Sequence, residues 1–270
     1  MTSTKHMAYQ SKNPATLEII KTYQEISNDE LDAKLAKAQS SFLSWKNTSF
    51  QERKKHMLSL AGYLRSHAQE MSELQTLEMG KTIATGPGGI EKCALLCEYY
   101  ANNSESILSN ENIQMDGSEH FAEFDPLGVI FSVMPWNYPF WQVYRFAVPA
   151  IMAGNVGLLK HASNVPQCAE MIEKTFIEAG FPEGVFQNLL ISVPQVETVI
   201  RDKRVMAVAL TGSEKAGSSV ARIAGDELKK CVLELGGSDP FIVFADVDVK
   251  KVAEIAISAR LAGNVGQTCI

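Results

Sequence analysis

No stretch of this 270-residue chain approaches the ~18 consecutive apolar residues that a membrane-spanning helix requires, and residues 1–10 lack the apolar core of a secretory signal. A membrane-bound or exported protein is thereby disfavoured, and a cytoplasmic location is expected. Basic residues are also scarce. There are 25 Lys and Arg against 31 Asp and Glu, a formal charge of −6, whereas a nucleic-acid partner calls for a clustered basic excess that can neutralise phosphates. The one basic run, Arg53-Lys54-Lys55-His56, reads as a solvated helix face. The five cysteines, at 93, 97, 168, 231 and 269, are odd in number and irregular in spacing, which fits reduced thiols rather than a disulfide framework. Cys93 and Cys97 lie one helical turn apart without a His or second Cys pair nearby, so they read as packing and no metal site is expected. There is no internal repeat and no low-complexity segment.

What is present falls into two patterns. In the first part, Leu31, Leu35, Ala38, Phe42 and Trp45 recur at spacings of three and four behind Asn28-Asp29-Glu30, predicting an amphipathic helix with an acidic start. A second helix is announced by Ser49 and Glu52 as a capping box, with Met57, Leu60, Ala61 and Leu64 as its stripe. A third over 67–79 stops at Gly80, and a fourth covers 89–108. These helices read as scaffold without chemistry.

From residue 119 the pattern shifts to short β-rich runs. Residues 119–124 and 129–133 are expected as two strands around the turn Asp125-Pro126-Leu127-Gly128. Helices over 140–153, 166–179 and 214–224, and a helical turn over 195–200, then alternate with strands over 156–160, 186–190, 205–210 and 230–235. That alternation predicts an α/β fold, a mainly parallel sheet with flanking helices. A strand over 240–244 and a helix over 249–262 are expected to begin a second domain that the chain does not complete.

Several stretches fall at predicted strand ends, where sheets of this kind bind ligands. Pro135-Trp136-Asn137-Tyr138-Pro139 is either a turn with a packed indole or a rigid loop holding the Asn137 amide where an oxyanion forms. Lys160 can snorkel to water or donate to a ribose or phosphate, and His161 beside it has a structural as well as a functional reading. Thr211-Gly212-Ser213 precedes a helix containing Gly217; it is not G-x-G-x-x-G, yet its small residues allow a pyrophosphate to approach a helix N-terminus. Glu234-Leu235-Gly236-Gly237 offers a carboxylate that is either capped by backbone N–H groups or available as a general base. Gly266-Gln267-Thr268-Cys269 supplies a thiol after a glycine-containing turn, the residue type for attack on a carbonyl. Arg145 stands in an apolar helix segment, where a buried guanidinium requires an anionic partner, internal or bound.

Taken together, these five stretches in this order and spacing resemble the aldehyde dehydrogenase superfamily across essentially the whole chain, and the wording around 159–164 and 229–240 resembles its succinate-semialdehyde dehydrogenase group. The resemblance implies a Rossmann-like cofactor domain over 1–117 and 132–235, the start of an oligomerisation hairpin over 118–131, and an incomplete catalytic domain over 236–270. It implies Cys269 as nucleophile, Asn137 as oxyanion donor together with the Cys269 backbone N–H, and Glu234 as the base that activates the hydrolytic water. Trp136, Asn137, Lys160, His161, Ala162, Ser163, Gly212, Ser213 and Leu235 match the family's dinucleotide contacts. Ser163 stands where many NAD-preferring relatives carry Glu, so that NADP is accepted as well as NAD: an acidic side chain would repel a 2′-phosphate, to which Ser can donate. Arg145 matches a substrate-carboxylate ligand, while position 263, a second such Arg in some of those enzymes, is Gly. The partners implied are a small aldehyde and, for the full-length form, further copies of the chain. Members of the family are considerably longer. The chain is therefore expected to be either part of an enzyme or a non-catalytic dinucleotide-binding or subunit-interaction module.

Overall fold

The computed structural model describes residues 8–268. Two strands, β1 (Ala8–Lys12) and β2 (Ile19–Gln24), pair antiparallel at the start. The sequence reading had placed nothing there, and the reason is physical: β2 is almost wholly exposed, so no alternating apolar face announces it.

Four helices follow, α1 (Asn28–Trp45), α2 (Phe50–Ser66), α3 (Ala68–Met79) and α4 (Gly86–Ile107). Both α1 and α2 begin with complete capping boxes, Ser27 with Glu30 and Ser49 with Glu52, which satisfy N–H groups that the first helical turn leaves unpaired. Gly80 ends α3 in the left-handed conformation at φ 79° that favours glycine.

The strands β3 (Glu111–Ile113) and β4 (His120–Ala122) pair with each other. This corrects the expected two-strand unit around residues 125–128. The next strand, β5 (Val129–Met134), does not pair with β4. It is hydrogen-bonded on both sides, and all of it belongs to the main sheet, so the boundary expected at 131/132 cuts a continuous element. A strand with apolar residues on both faces is stable where both edges and both faces are covered.

The main sheet is parallel, in the order β7-β6-β5-β8-β9, with β6 (Val156–His161), β7 (Phe186–Asn188), β8 (Val205–Thr211) and β9 (Lys230–Glu234). Helices α5 (Pro139–Met152), α6 (Pro166–Glu178), α7 (Val193–Arg201) and α8 (Glu214–Asp226) make the crossovers. The core is continuous through β5, β6, α5, α6 and the stripes of α1, α2 and α4, with Phe131, Phe140, Tyr144, Leu158 and Phe176 fully buried or nearly so. Cys93, Cys97 and Cys168 are buried free thiols that burial pushes upward in pKa, in keeping with their reading as packing; Cys231 is half-buried.

After β9 the packing changes. Residues 240–244 form no strand, and Phe241, Ile242, Val243 and Phe244 are exposed. A strand forms where a neighbour completes its ladder, and no described strand lies beside this run. The last helix, α9 (Val249–Leu261), buries none of its residues.

Candidate active site

Strand order fixes where the site lies. From β5 the chain first builds outward through β6 and β7, then returns to the other side of β5 for β8 and β9. The loops leaving β5 and β8 therefore diverge and open a crevice at the carboxyl ends of the strands, the place where open α/β sheets bind ligands. A groove of about 380 Å³ occupies that position, lined by Pro135, Trp136 and Asn137 after β5, Thr211, Gly212 and Ser213 after β8, Leu235 to Gly237 after β9, and Gly266 to Thr268.

Each wall has a local cause. Pro139 occupies the first turn of α5, where the missing N–H is harmless and the fixed φ sets the helix start. Asn137 just before it donates from Nδ2 to the Gln267 carbonyl at 3.2 Å and accepts from the Tyr138 N–H at Oδ1. An amide nitrogen carries two donors, and among the described residues only one of them has an acceptor. Ser213 is the N-cap of α8, accepting from the Ala216 N–H at 3.3 Å, and it brings the positive end of that helix to the groove. Gly217 sits beneath Leu235; a Cβ there would stand 2.4 Å from Leu235 Cδ2. The glycine thus lets the β9 loop close over the first turns of α8.

The carboxylate and guanidinium sit next door. Arg145 and Glu234 line an adjacent cavity of about 440 Å³ that shares Gln142 and Thr211 with the groove. Arg145 is half-exposed rather than buried as expected, and its guanidinium lies 3.6 Å from Glu234 Oε2 and 3.5 Å from Thr211 Oγ1. An ion pair this long and open to solvent contributes little, which leaves both groups free to meet a ligand.

The residues at the end of β6 lie off the groove. Lys160 is buried, donates to the His161 carbonyl at 3.0 Å and faces the Tyr9 ring; burial lowers its pKa. His161 is buried with its ring spent on backbone. The Ala162 N–H donates to Nδ1 at 2.9 Å, which leaves Nε2–H to donate to the Pro139 carbonyl at 3.0 Å. Burial lowers this imidazole to about 4, so it is neutral and braces β6 against the start of α5. Neither it nor Lys160, Ala162 and Ser163 lines the groove; Ser163 is exposed on the neighbouring strand end. Cys269 lies outside the described residues.

Two site residues escaped the sequence reading. Asn264, 3% exposed, donates from Nδ2 to the Asn137 carbonyl at 2.6 Å and to the Gln267 carbonyl at 3.3 Å, tying the two loops together. Gln142 is buried between groove and cavity, and its Oε1 has no hydrogen-bond partner among the described residues. The Asn264 signal was present as a polar side chain directly after a helix end; Gln142 carried none beyond its place in an apolar helix. Among the described residues no cluster of His, Cys, Asp and Glu could hold a metal ion, and no helix is long and apolar enough to cross a membrane.

A parallel sheet with a groove at its switch point, walled by an amide and a helix N-cap and flanked by a cavity that holds a strand-end carboxylate, defines an open α/β protein with a candidate ligand site. The chain belongs to the Aldehyde dehydrogenase family, whose match covers residues 1–270. It is 49% identical over 264 residues to a probable NADP(+) succinate-semialdehyde dehydrogenase of Synechocystis, covering 98% of this chain and 58% of that one. It is 48% identical over 261 residues to NADP(+) succinate-semialdehyde dehydrogenase 1 of Mycobacterium bovis, covering 96% of this chain and 57% of that protein. Among solved structures, succinic semialdehyde dehydrogenase of Streptococcus pyogenes in complex with NADP+ superposes with a TM-score of 0.93 at 37% identity, over 97% of this chain and 58% of that one. The chain thus spans somewhat more than half the length of the relatives it matches.

Proposed function

We propose that this chain carries the cofactor half and the nucleophile of an NADP-accepting aldehyde dehydrogenase acting on succinate semialdehyde. The observation that carries the reading is the groove itself, which gathers Trp136, Asn137, Gly212, Ser213, Leu235 and the loop leading to Cys269 at one switch point. A dinucleotide fits the residues present: the N-cap of α8 offers backbone N–H groups to a pyrophosphate, and the absence of a side chain at Gly217 keeps Leu235 seated beside it. When bound, the nicotinamide supplies the hydride acceptor.

The protein's own residues do the rest. The Cys269 thiolate attacks the aldehyde carbon, and the Asn137 amide donates to the oxyanion of the thiohemiacetal. Loss of hydride leaves a thioester on Cys269. Glu234 takes a proton from the water that attacks the thioester, which releases the acid and restores the thiolate; Glu234 then gives its proton up to solvent. Arg145, beside Glu234 in the adjoining cavity, receives the substrate carboxylate, which its planar guanidinium can hold bidentately. Lys160 and Ser163 serve the adenosine end, with Ser163 tolerating a 2′-phosphate. His161 and Ala162 contribute backbone at that end.

In this reading residues 236–270 open a catalytic domain, and β3 and β4 with exposed Phe121 and Phe124 form the surface through which copies of the full-length form associate. Similarity to relatives named for NADP and succinate semialdehyde supports the choice of cofactor and substrate. The test is reduction of NADP, followed by absorbance of the reduced nicotinamide, with succinate semialdehyde as substrate. Turnover lost in Cys269→Ala supports the reading. Calorimetric binding of NADP without turnover in the unaltered chain favours the non-catalytic module.

A further inference from the structure

Lys81 lies outside every motif discussed above, in the short connection between α3 and α4. It is 3% exposed, yet among the described residues no carboxylate pairs with it, and burial lowers its pKa. Its Nζ donates to the Gly263 carbonyl at 2.6 Å and to Thr85 Oγ1 at 3.2 Å, and it stands 4.8 Å from the centre of the Tyr138 ring. Thr85 Oγ1 lies 3.1 Å from the same carbonyl. Removing a cation from water without a counter-charge is expensive, and one carbonyl, one hydroxyl and a ring face offset only part of that cost. Stability alone would favour an apolar side chain here.

What the ammonium touches gives the reason. Gly263 follows the C-terminal end of α9, a helix that buries none of its own residues, and a positive charge is favoured at a helix C-terminus. Immediately afterwards the chain passes through two left-handed residues, Val265 at φ 51° and Gly266 at φ 82°. For a β-branched residue such a conformation is strained and persists only where the surroundings enforce it. Besides local backbone hydrogen bonds, the surroundings among the described residues include two long-range anchors: Lys81 on Gly263 before the turn, and Asn137 on Gln267 after it, with Asn264 bridging to the Asn137 carbonyl. Position 263 suits the arrangement, since a Cβ there would stand 3.0 Å from the Tyr138 hydroxyl.

We propose that Lys81 is a positioning residue for the nucleophile: it pins the strained turn at 263–266 against the Asn137 loop and thereby sets where Cys269 emerges. The inference rests on the reading of Cys269 as nucleophile. It gives a role in the chemistry to a connection between two scaffold helices.

The test compares the unaltered chain with Lys81→Met, Lys81→Arg and Thr85→Val. Alkylation of every cysteine by iodoacetamide is followed by mass spectrometry across pH, and hydrogen exchange is read at residues 263–268. Cys93, Cys97 and Cys168 are buried and report unfolding, while half-buried Cys231, which burial pushes up in pKa, serves as the unactivated thiol. Lys81→Met is expected to slow Cys269 alkylation roughly tenfold, shift its pH profile and speed exchange at 263–268, because small displacements of a reacting group cost large factors in rate. The buried cysteines stay protected, and Lys81→Arg recovers most of the rate. Adding Val265→Gly, which relieves the strained backbone, partly rescues Lys81→Met. Unchanged exchange and an unchanged Cys269 profile in Lys81→Met would overturn the proposal. If that variant exposes the buried cysteines, Thr85→Val decides: about a threefold slowing at Cys269 supports the anchor, and no change overturns it. Should Cys269 of the unaltered chain react no faster than Cys231, the nucleophile reading fails and the positioning role fails with it. Exchange at 263–268 would then show whether Lys81 still anchors the turn.

Discussion

The two walls of the groove are built by different means. On one side, the groove loops leave β5 and β8, two strands that lie largely buried within the sheet. On the other, β9 is an exposed edge, residues 240–244 pair with nothing described, and α9 buries no residue. There the loop before Cys269 receives hydrogen bonds from Lys81, Asn137 and Asn264. Among the described residues the first wall is held by packing, and the second chiefly by polar contacts. Damage to the first should therefore appear as lost stability, and damage to the second as lost chemistry.

The largest effect separating them comes from truncating a core aromatic. Phe131→Ala is expected to cost about 3–5 kcal/mol in urea unfolding, whereas Ile257→Ala on exposed α9 stays within about 0.5 kcal/mol. Equal losses would erase the contrast. Next, Asn137→Ala is expected to lower turnover by about 10²–10³, the usual effect of losing one oxyanion donor, with little change in unfolding midpoint; a pure stability loss would assign Asn137 to structure.

The third prediction concerns His161. Its folded value of about 4 lies below the ordinary 6.5, so between those pH values the unfolded chain binds a proton that the folded chain does not. Stability is accordingly complete above pH 6.5 and is lost as pH falls toward 4, by on the order of 3 kcal/mol. His161→Gln flattens that slope in pH-dependent unfolding; an unchanged slope would place the proton elsewhere. The smallest effect is expected at Ser163. Ser163→Glu should shift the ratio of NADP to NAD affinity by about tenfold toward NAD, through repulsion of the 2′-phosphate, read by calorimetry with both cofactors.

The contrast between the walls also marks how much could be read from sequence. Helices with complete stripes and capping boxes, such as α1 and α2, were legible to within a residue or two, because period and cap agree. The parallel sheet was legible from alternation, and the groove residues 136, 137, 212, 213 and 235 from their places at strand ends. Failures cluster where partners decide. Residues 240–244 read as a strand by composition but find no neighbour, and β4 pairs backward to β3, not forward to β5, because β5 has both edges engaged. His161 is a separate case: its ring meets the Ala162 N–H and the Pro139 carbonyl, a packing role that still leaves its backbone at the strand end. Lys81 left no local signal, since what makes it matter is a carbonyl 182 positions away in sequence.

The central claim is that this groove delivers an aldehyde to Cys269 beside a bound nicotinamide. Rapid mixing of the NADP-loaded chain with succinate semialdehyde tests it most directly, through the absorbance of reduced nicotinamide in the first turnover. The account predicts a burst proportional to protein that disappears in Cys269→Ala while NADP binding is retained. A chain that binds NADP fully and shows no burst, or a burst that survives Cys269→Ala, would contradict it.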